Sequence, residues 1–156
     1  MTPAIIQAEK NNITFKLHQY QHDANVTSFG LEAAEKLGIS PEKIFKTLVV
    51  NTENKKYAVA IIPVTHQLNL KAMAKALKSK KVQMADVKRV ESMTGYILGG
   101  VSPLGQKKPL QTVIDDSCKA YQTICVSGGK RGLEIELSPV DLASVTHATF
   151  NKIAGA

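Results

Sequence analysis

The chain has 156 residues, of which 44% are hydrophobic and 21% are charged. This size and composition fit one globular domain with a single core and exclude an intrinsically disordered chain. Lys and Arg number 20 against 13 Asp and Glu, a net charge of +7 that favours a polyanionic partner such as nucleic acid. Aromatic residues make up 5%, with no Trp, which argues against recognition of several bases stacked on a sheet.

The sequence contains no pattern typical of a membrane segment, a metal site or another cofactor site. No apolar run reaches the roughly 18 residues that a membrane helix needs, and the N-terminus lacks the pattern of a secretory signal, so we expect a cytoplasmic protein. Cys118 and Cys125 are separated by six residues, unlike zinc or redox motifs, and we expect two small apolar side chains in or near strands. The four histidines also lack metal-binding spacing; they are His18, His22, His66 and His147.

Apolar spacing and the positions of Pro, Gly, Ser and Asn predict the following elements in chain order. The first half contains a helix from Pro3 to Asn11 or Asn12, a strand from Ile13 to Tyr20, a helix capped by Thr27 or Ser28 and ended by Gly38, a strand from Ile44 to Val50, its hairpin partner from Tyr57 to Pro63, and a helix carrying Leu70, Met73, Ala74 and Leu77. The second half contains a helix from Asp86 to Gly95, strands at 112–115, 123–127 and 133–137, and a short helix opening at Ser138.

These elements predict the fold class. Strands and helices are intermixed, but no strand–helix–strand unit repeats regularly, which argues against a doubly wound parallel sheet. We therefore expect a single domain across residues 1–156, of mixed α/β class. Its sheet is expected to be mostly antiparallel and partly closed like a barrel, with helices packed outside.

Lys46 is the only charged residue in the apolar run 44–50. Strand parity makes both faces of this strand otherwise apolar. A lysine there extends to the strand end, pairs with a carboxylate, or serves a functional site, and on this pattern alone the structural explanations carry more weight. Glu134 and Glu136, on one face of the 133–137 strand, are the available carboxylate partners.

Two glycine-containing loops are the other candidate sites. In the loop 99–103 (GGVSP), glycine lets the backbone approach a ligand, and N–H groups there suit a phosphate or an oxyanion. The loop 127–132 (SGGKRG) places two cations, Lys130 and Arg131, beside its glycines. An ordinary tight turn is the alternative for each loop, and the spacing excludes a Walker A loop.

Three segments together carry a family resemblance: FKTLV at 45–49, GGVSP at 99–103 and SGGKRGLE at 127–134. In this order and spacing they resemble the YbaK family of bacterial aminoacyl-tRNA deacylases, which is related to the editing domain of bacterial prolyl-tRNA synthetases. The resemblance implies a mixed α/β fold with a partly closed, barrel-like sheet. It also implies a site in a cleft beside the Lys46 strand.

The resemblance further implies the residues of that site. Lys46 falls on the family's essential lysine, and the expected substrate-binding residues are Tyr20, Phe29, Thr47, Gly99, Gly100, Val101, Ser102, Ser127, Gly128 and Glu134. Backbone N–H groups of the 99–102 segment are expected to stabilise a tetrahedral oxyanion. We expect Lys46 to be positively charged and to orient the substrate, because an acid is expected nearby.

The implied activity is hydrolysis of the ester of mischarged cysteinyl-tRNA(Pro), without a metal or other cofactor and with prolyl-tRNA synthetase as a protein partner. A pocket shaped for proline admits smaller side chains, and one methylene is worth only about 1–3 kcal/mol of discrimination, so a second, hydrolytic site is required. The resemblance implies that the substrate's own thiol attacks the ester. The alternatives are a deacylase for alanyl-tRNA or another small aminoacyl-tRNA, and a noncatalytic module that binds tRNA or the synthetase.

A stripe of lysines is the expected contact for the tRNA phosphates. Helical spacing puts Lys71, Lys75 and Lys78 on one face of a predicted helix, and Lys130 and Arg131 are expected to add to this contact. A solvated face on a surface helix explains the three lysines equally well. Neither interpretation provides a base-reading element, so we expect discrimination among tRNAs to come from elsewhere.

Overall fold

The computed structural model describes residues 1–155. The helices are α1 (Pro3–Lys10), α2 (Phe29–Leu37), α3 (Leu70–Ala76), α4 (Val87–Thr94) and α5 (Pro139–Thr146). The strands are β1 (Phe15–Gln19), β2 (Phe45–Thr52), β3 (Tyr57–Pro63), β4 (Val82–Met84), β5 (Gln111–Asp115), β6 (Ile124–Ser127), β7 (Leu133–Leu137) and β8 (Thr149–Asn151). Short 3-10 turns lie at Pro41–Lys43 and Asp116–Ala120.

Several boundaries follow the predicted capping signals. α2 and α4 each end at a glycine in the left-handed conformation, Gly38 with φ of 67° and Gly95 with φ of 83°, which glycine adopts without the steric cost of a Cβ. Asp86 and Ser138 begin α4 and α5, because their side chains accept hydrogen bonds from backbone N–H groups of the first turn. The predicted starts and ends of these helices are therefore confirmed.

The strands form two sheets, with the orders β1-β7-β6 and β4-β2-β3-β5-β8. Within residues 1–155, β3–β5 and β5–β8 are the parallel strand pairs, and the other four are antiparallel, which confirms a mixed, mostly antiparallel arrangement. The expected barrel-like closure is wrong, because no continuous ladder joins the two sheets within residues 1–155. A single parallel bridge between Ile44 and Cys125 links them. In the described part of the chain, β2 and β6 share no ladder beyond this bridge.

The five-stranded sheet is buried on both faces, and β3 is the clearest example. Ile61 and Ile62 point to opposite faces, as neighbours in a strand must, and both are fully buried. Ile61 belongs to the core shared with Val126 and Ile135 of the other sheet, whereas Ile62 packs with Met73 of α3. Burial on both faces explains why β3 is a continuous apolar run rather than an alternating one.

Two strands escaped prediction, and both have three residues. β4 pairs with the end of β2, and β8 pairs in parallel with β5. Cys125 lies in β6, and Cys118 lies in the 3-10 turn directly after β5, which confirms the expectation that both lie in or near strands; both are fully buried. Within residues 1–155, no helix combines the length and the apolar content needed to cross a membrane.

Candidate active site

A cavity of about 330 Å³ opens between the start of α2, strand β2, the loop around residue 99, and β6 and β7. Eight residues predicted for the site line it: Tyr20, Phe29, Lys46, Thr47, Gly99, Val101, Ser127 and Glu134. Strand register brings several of them together, because Ser127 pairs with Glu134 and the Ile44–Cys125 bridge sets β2 beside β6. The cavity therefore contains residues from all three segments that carry the family resemblance.

Lys46 is half-buried in this cavity without a counter-ion. Within residues 1–155 it forms no ion pair, and its ammonium donates no hydrogen bond. Burial lowers the pKa of Lys46, because desolvation disfavours the charged amine. An acid is close by, as expected, because Glu134 lines the same cavity. The expected ion pair of Lys46 with a carboxylate is wrong, since none forms within residues 1–155.

Glu134 lines the same cavity but does not neutralise Lys46. Its exposed fraction is 7%, and burial raises its pKa to about 8, so the carboxyl is largely protonated at neutral pH. The two groups lie on strands of different sheets, Lys46 on β2 and Glu134 on β7. No ion pair joins them in the described part of the chain.

Two hydroxyl groups add to the polar lining. Burial, and after it the nearby Glu134 and Glu32, raise the pKa of Tyr20 to about 12, so the phenol stays protonated and can donate a hydrogen bond. The Thr47 Oγ1 atom is buried and has no hydrogen-bond partner within residues 1–155. Buried polar atoms are rarely left unpaired, so this hydroxyl beside a cavity points to a ligand that completes its bonding.

The loop at the cavity rim has two unused backbone donors. Gly99 and Val101 line the cavity, and their N–H groups donate no hydrogen bond within residues 1–155. The Gly100 N–H instead donates to the Ile97 carbonyl at 2.9 Å. Of the 99–102 segment expected to stabilise an oxyanion, Gly99 and Val101 are thus the residues that line the cavity and whose N–H groups remain without a partner within residues 1–155.

Three residues predicted for the site, Gly100, Ser102 and Gly128, do not line the cavity. A Cβ on Gly100 would lie 2.8 Å from Lys130 Cα, so this glycine serves the contact between two loops. Ser102 is fully buried, and its Oγ accepts a hydrogen bond from the Leu104 N–H at 3.2 Å. Gly128 packs against the Leu133 side chain. These three residues shape the loops rather than the cavity surface.

Glu32 ties the segment after β1 to helix α2. Its carboxylate lies 2.7 Å from His22 Nδ1 and accepts a hydrogen bond from the Asp23 N–H at 2.8 Å, while Lys36 Nζ donates to it at 3.0 Å. Burial opposes ionisation of Glu32, but these hydrogen bonds outweigh it and lower the pKa to about 2. These contacts hold the segment after β1 against α2, whose start forms one wall of the cavity.

The residues expected to bind tRNA lie outside the cavity lining. Lys71 and Lys75 are exposed on α3, but the helix ends at Ala76 and Lys78 follows it with φ of 57°. The expected helical stripe therefore loses its third lysine, although that side chain is also exposed. Lys130 is exposed as well. Arg131 is exposed too, but its guanidinium also contacts Leu98 and Phe29.

One group of potential metal ligands comes together that sequence spacing did not reveal. Ligand atoms of His18, Cys125 and Glu136 lie within 4.8 Å of one another. The Glu136 carboxylate is already paired, with His18 Nε2 at 2.8 Å, the Thr123 hydroxyl at 2.5 Å and Lys43 Nζ at 3.8 Å. Burial raises the pKa of the Cys125 thiol to about 12, which keeps it protonated. These contacts occupy the Glu136 carboxylate, so it is not available as a partner for Lys46.

The apolar wall of the cavity was not predicted. It includes Leu31, Leu48, Val64 and Leu98. Strand parity could have predicted Leu48, because it lies two residues after Lys46 on the same face of β2. No local pattern identifies Val64, whose place depends on α2: a Cβ on Gly30 would lie 2.2 Å from Val64 Cγ1.

Comparison with known proteins agrees with this arrangement. The sequence profile of the aminoacyl-tRNA editing domain matches residues 24–145. EbsC of Enterococcus faecalis, provisionally named a Cys-tRNA(Pro)/Cys-tRNA(Cys) deacylase, is 40% identical over 152 residues, which cover 97% of this chain and 92% of EbsC. A proline–tRNA ligase of Brachyspira hyodysenteriae is 27% identical over 97 residues, 62% of this chain and 17% of the ligase.

The fold is shared as well. A crystal structure provisionally described as a trans-editing enzyme for prolyl-tRNA synthetase superposes with a TM-score of 0.86 at 21% identity, covering 99% of this chain and 96% of that one. With the family profile and the EbsC match, this confirms the predicted relationship to aminoacyl-tRNA deacylases. The chain belongs to the aminoacyl-tRNA editing domain family.

Proposed function

We propose that this domain is a trans-editing hydrolase that cleaves the ester of mischarged cysteinyl-tRNA(Pro) and releases free tRNA. The observation that carries the proposal is a cavity lined by one basic and one acidic side chain, Lys46 and Glu134, neither of which forms an ion pair within residues 1–155. Ionisable groups in a cleft whose pKa values are shifted by desolvation are candidates for functional residues. The name of EbsC supports the cysteinyl substrate.

We propose that Lys46 pairs with a negatively charged group of the substrate. A desolvated amine without a counter-ion gains most from an anion, and aminoacyl-tRNA supplies two: the phosphate of its terminal nucleotide and the oxyanion formed when the ester is attacked. Either anion takes the place of the missing carboxylate and favours the ammonium form. Lys46 then orients the substrate without acting as a nucleophile.

Backbone donors are proposed to stabilise the reacting carbonyl. Preorganised N–H groups aimed at a developing oxyanion are worth about 3–4 kcal/mol each in related acyl-transfer sites. Gly99 and Val101 have such groups free at the cavity rim. The Thr47 hydroxyl, which has no partner within the described residues, is a further donor or acceptor for the terminal ribose.

The chemical step is proposed to use the thiol of the substrate. Its sulfur attacks the ester carbonyl carbon, the thiol proton passes to the departing ribose oxygen, and the resulting cysteine thiolactone is then hydrolysed by water. Any cavity that admits cysteine also admits alanine, so size alone separates them poorly. A step that requires the thiol separates them by chemistry instead.

Selection of the tRNA is proposed to come from a complex with prolyl-tRNA synthetase in the cytoplasm. The net charge of +7 attracts any tRNA, and few aromatic residues are available to read bases. The likeness of part of the chain to a proline–tRNA ligase supports this partner. An editing domain that can lie within a synthetase is suited to act beside one.

Replacing Lys46 with alanine tests the site. We expect Lys46→Ala to abolish deacylation of cysteinyl-tRNA(Pro) at an unchanged melting temperature, because the cavity loses its cation and little packing. Lys56→Ala, in the exposed turn after the same strand, is the matched control and should keep wild-type activity. Activity of Lys46→Ala within a few-fold of wild type would refute the site.

Seryl-tRNA(Pro) tests the proposed thiol step. Serine has nearly the size of cysteine, but its hydroxyl is a much weaker nucleophile at neutral pH. We therefore expect cysteinyl-tRNA(Pro) to be cleaved much faster than seryl-tRNA(Pro) under identical conditions. Equal rates would instead favour attack by water and a general deacylase for small aminoacyl groups.

A further inference from the structure

Arg131 lies at the cavity rim but does not line the cavity. Its Nε donates a hydrogen bond to the Leu98 carbonyl at 2.8 Å, and its Cζ lies 4.9 Å from the centre of the Phe29 ring. Leu98 and Phe29 both line the cavity, on the glycine loop and on α2 respectively. One planar cation therefore joins two separate walls of the site.

The backbone beside Arg131 leaves no room for a side chain. A Cβ on Gly99 would lie 2.8 Å from Arg131 Nε and 3.0 Å from Phe29 Cδ1. Gly99 also has φ of +86°, a conformation that other residues rarely adopt. The guanidinium and the ring thus pack directly on the backbone that carries one of the two free N–H donors.

The loop that carries Arg131 is itself anchored on its other side. The Thr2 hydroxyl donates to the Gly128 carbonyl at 2.5 Å, and Lys130 packs its backbone on Gly100. The 97–103 segment, in contrast, has no regular secondary structure. The Gly100 N–H is the only backbone donor between Ile97 and Ser102 that bonds within the described residues. Arg131 therefore connects a fixed loop to one that has few bonds of its own.

We propose that Arg131 is a positioning residue that holds Phe29 and the 98–101 backbone in place, and so aims the Gly99 and Val101 N–H groups at the reacting carbonyl. This inference rests on the proposed function. A guanidinium suits the role because it stacks on a ring while its edge donates a hydrogen bond, whereas lysine presents only a point charge. A phosphate contact, the role expected from the sequence, would tolerate lysine.

Arg131→Lys and Arg131→Ala separate the two roles, with Arg89→Ala, at an exposed position of α4, as the matched control. The measurements are kcat and KM for cysteinyl-tRNA(Pro) across a salt series, and hydrogen–deuterium exchange of the 97–103 segment. Both Arg131 variants should lower kcat by roughly 10- to 100-fold, the effect of a misplacement near 1 Å, and should speed exchange. KM and its salt dependence should change little, and Arg89→Ala should leave kcat and exchange unchanged.

A phosphate contact gives the opposite pattern. Arg131→Lys would then keep wild-type kcat, and Arg131→Ala would raise KM and flatten its salt dependence; this result would overturn the proposal. Exchange needs no substrate, so unchanged exchange in both Arg131 variants would overturn it too. If the wild-type protein does not cleave cysteinyl-tRNA(Pro), the proposed function fails, while faster exchange in both variants still supports the positioning role.

Discussion

Replacing Glu134 with glutamine should reduce the loss of folding stability that occurs as the pH rises above neutral. Glutamine has almost the same shape but does not ionise. The wild-type carboxyl is 7% exposed, and burial raises its pKa from 4.5 to about 8. The folded state therefore holds this proton more tightly than the unfolded state. The stability that follows is fully present below pH 4.5 and is lost as the pH rises through about 8.

The pKa values set a ceiling on this loss. A difference of one pKa unit corresponds to about 1.4 kcal/mol, so a rise from 4.5 to about 8 allows up to about 5 kcal/mol between acidic pH and pH 9. Water that enters the cavity reduces the penalty for the charged form. We expect at least about 2 kcal/mol of difference between the wild type and Glu134→Gln over this range.

Urea unfolding at several pH values between 5 and 9 provides the assay. The free energy of unfolding of the wild type should fall with pH relative to that of Glu134→Gln. Glu35→Gln, on the exposed side of α2, is the matched control and should follow the wild type. Parallel curves for the wild type and Glu134→Gln would refute the assignment of a buried, neutral carboxyl to the cavity.

Two further predictions concern cofactors and tRNA binding. EDTA treatment and the Cys118→Ser/Cys125→Ser double variant should both leave turnover of cysteinyl-tRNA(Pro) intact in folded samples, because the substrate supplies the thiol; loss in either case would contradict the metal-free, substrate-assisted mechanism. Changing the exposed Lys71, Lys75 and Lys78 to alanine should weaken binding of tRNA(Pro) and of an unrelated tRNA alike, and should flatten the slope of log affinity against log salt by about two, at about 0.7–0.9 for each phosphate contact. An unchanged slope would make these lysines a solvated surface, and a loss confined to tRNA(Pro) would mean that they read its identity.

Local signals predicted most of the helices and strands of this chain. The ends of α2 and α4 depend on single glycines, Gly38 and Gly95, whose left-handed conformation is a property of the residue itself. β3 was predicted with its observed limits, Tyr57 and Pro63, because a continuous apolar run needs no partner to be recognised. β4 and β8 were missed, since a three-residue strand exists only through pairing with a distant segment.

The sequence predicted which residues belong to the candidate site but not which of them pair with one another. The family resemblance named eight residues that line the cavity, whereas the expected partner for Lys46 failed. That pairing depends on which strands are neighbours: β6 lies between β2 and β7, and a single bridge at Ile44 sets its place. The role of Arg131 depends in the same way on Phe29, which is about a hundred residues earlier in the sequence. Contacts of this kind have no local pattern.

Deacylation of cysteinyl-, alanyl- and prolyl-tRNA(Pro), measured side by side with the wild-type protein and Lys46→Ala, tests the central claim most directly. We predict rapid release of tRNA from the cysteinyl ester by the wild type, slow or no release from the other two, and no turnover by Lys46→Ala. Faster cleavage of alanyl-tRNA(Pro) would contradict the proposed substrate. No cleavage of any of the three esters by a folded wild-type protein would contradict the enzyme and favour a noncatalytic tRNA-binding or synthetase-binding module.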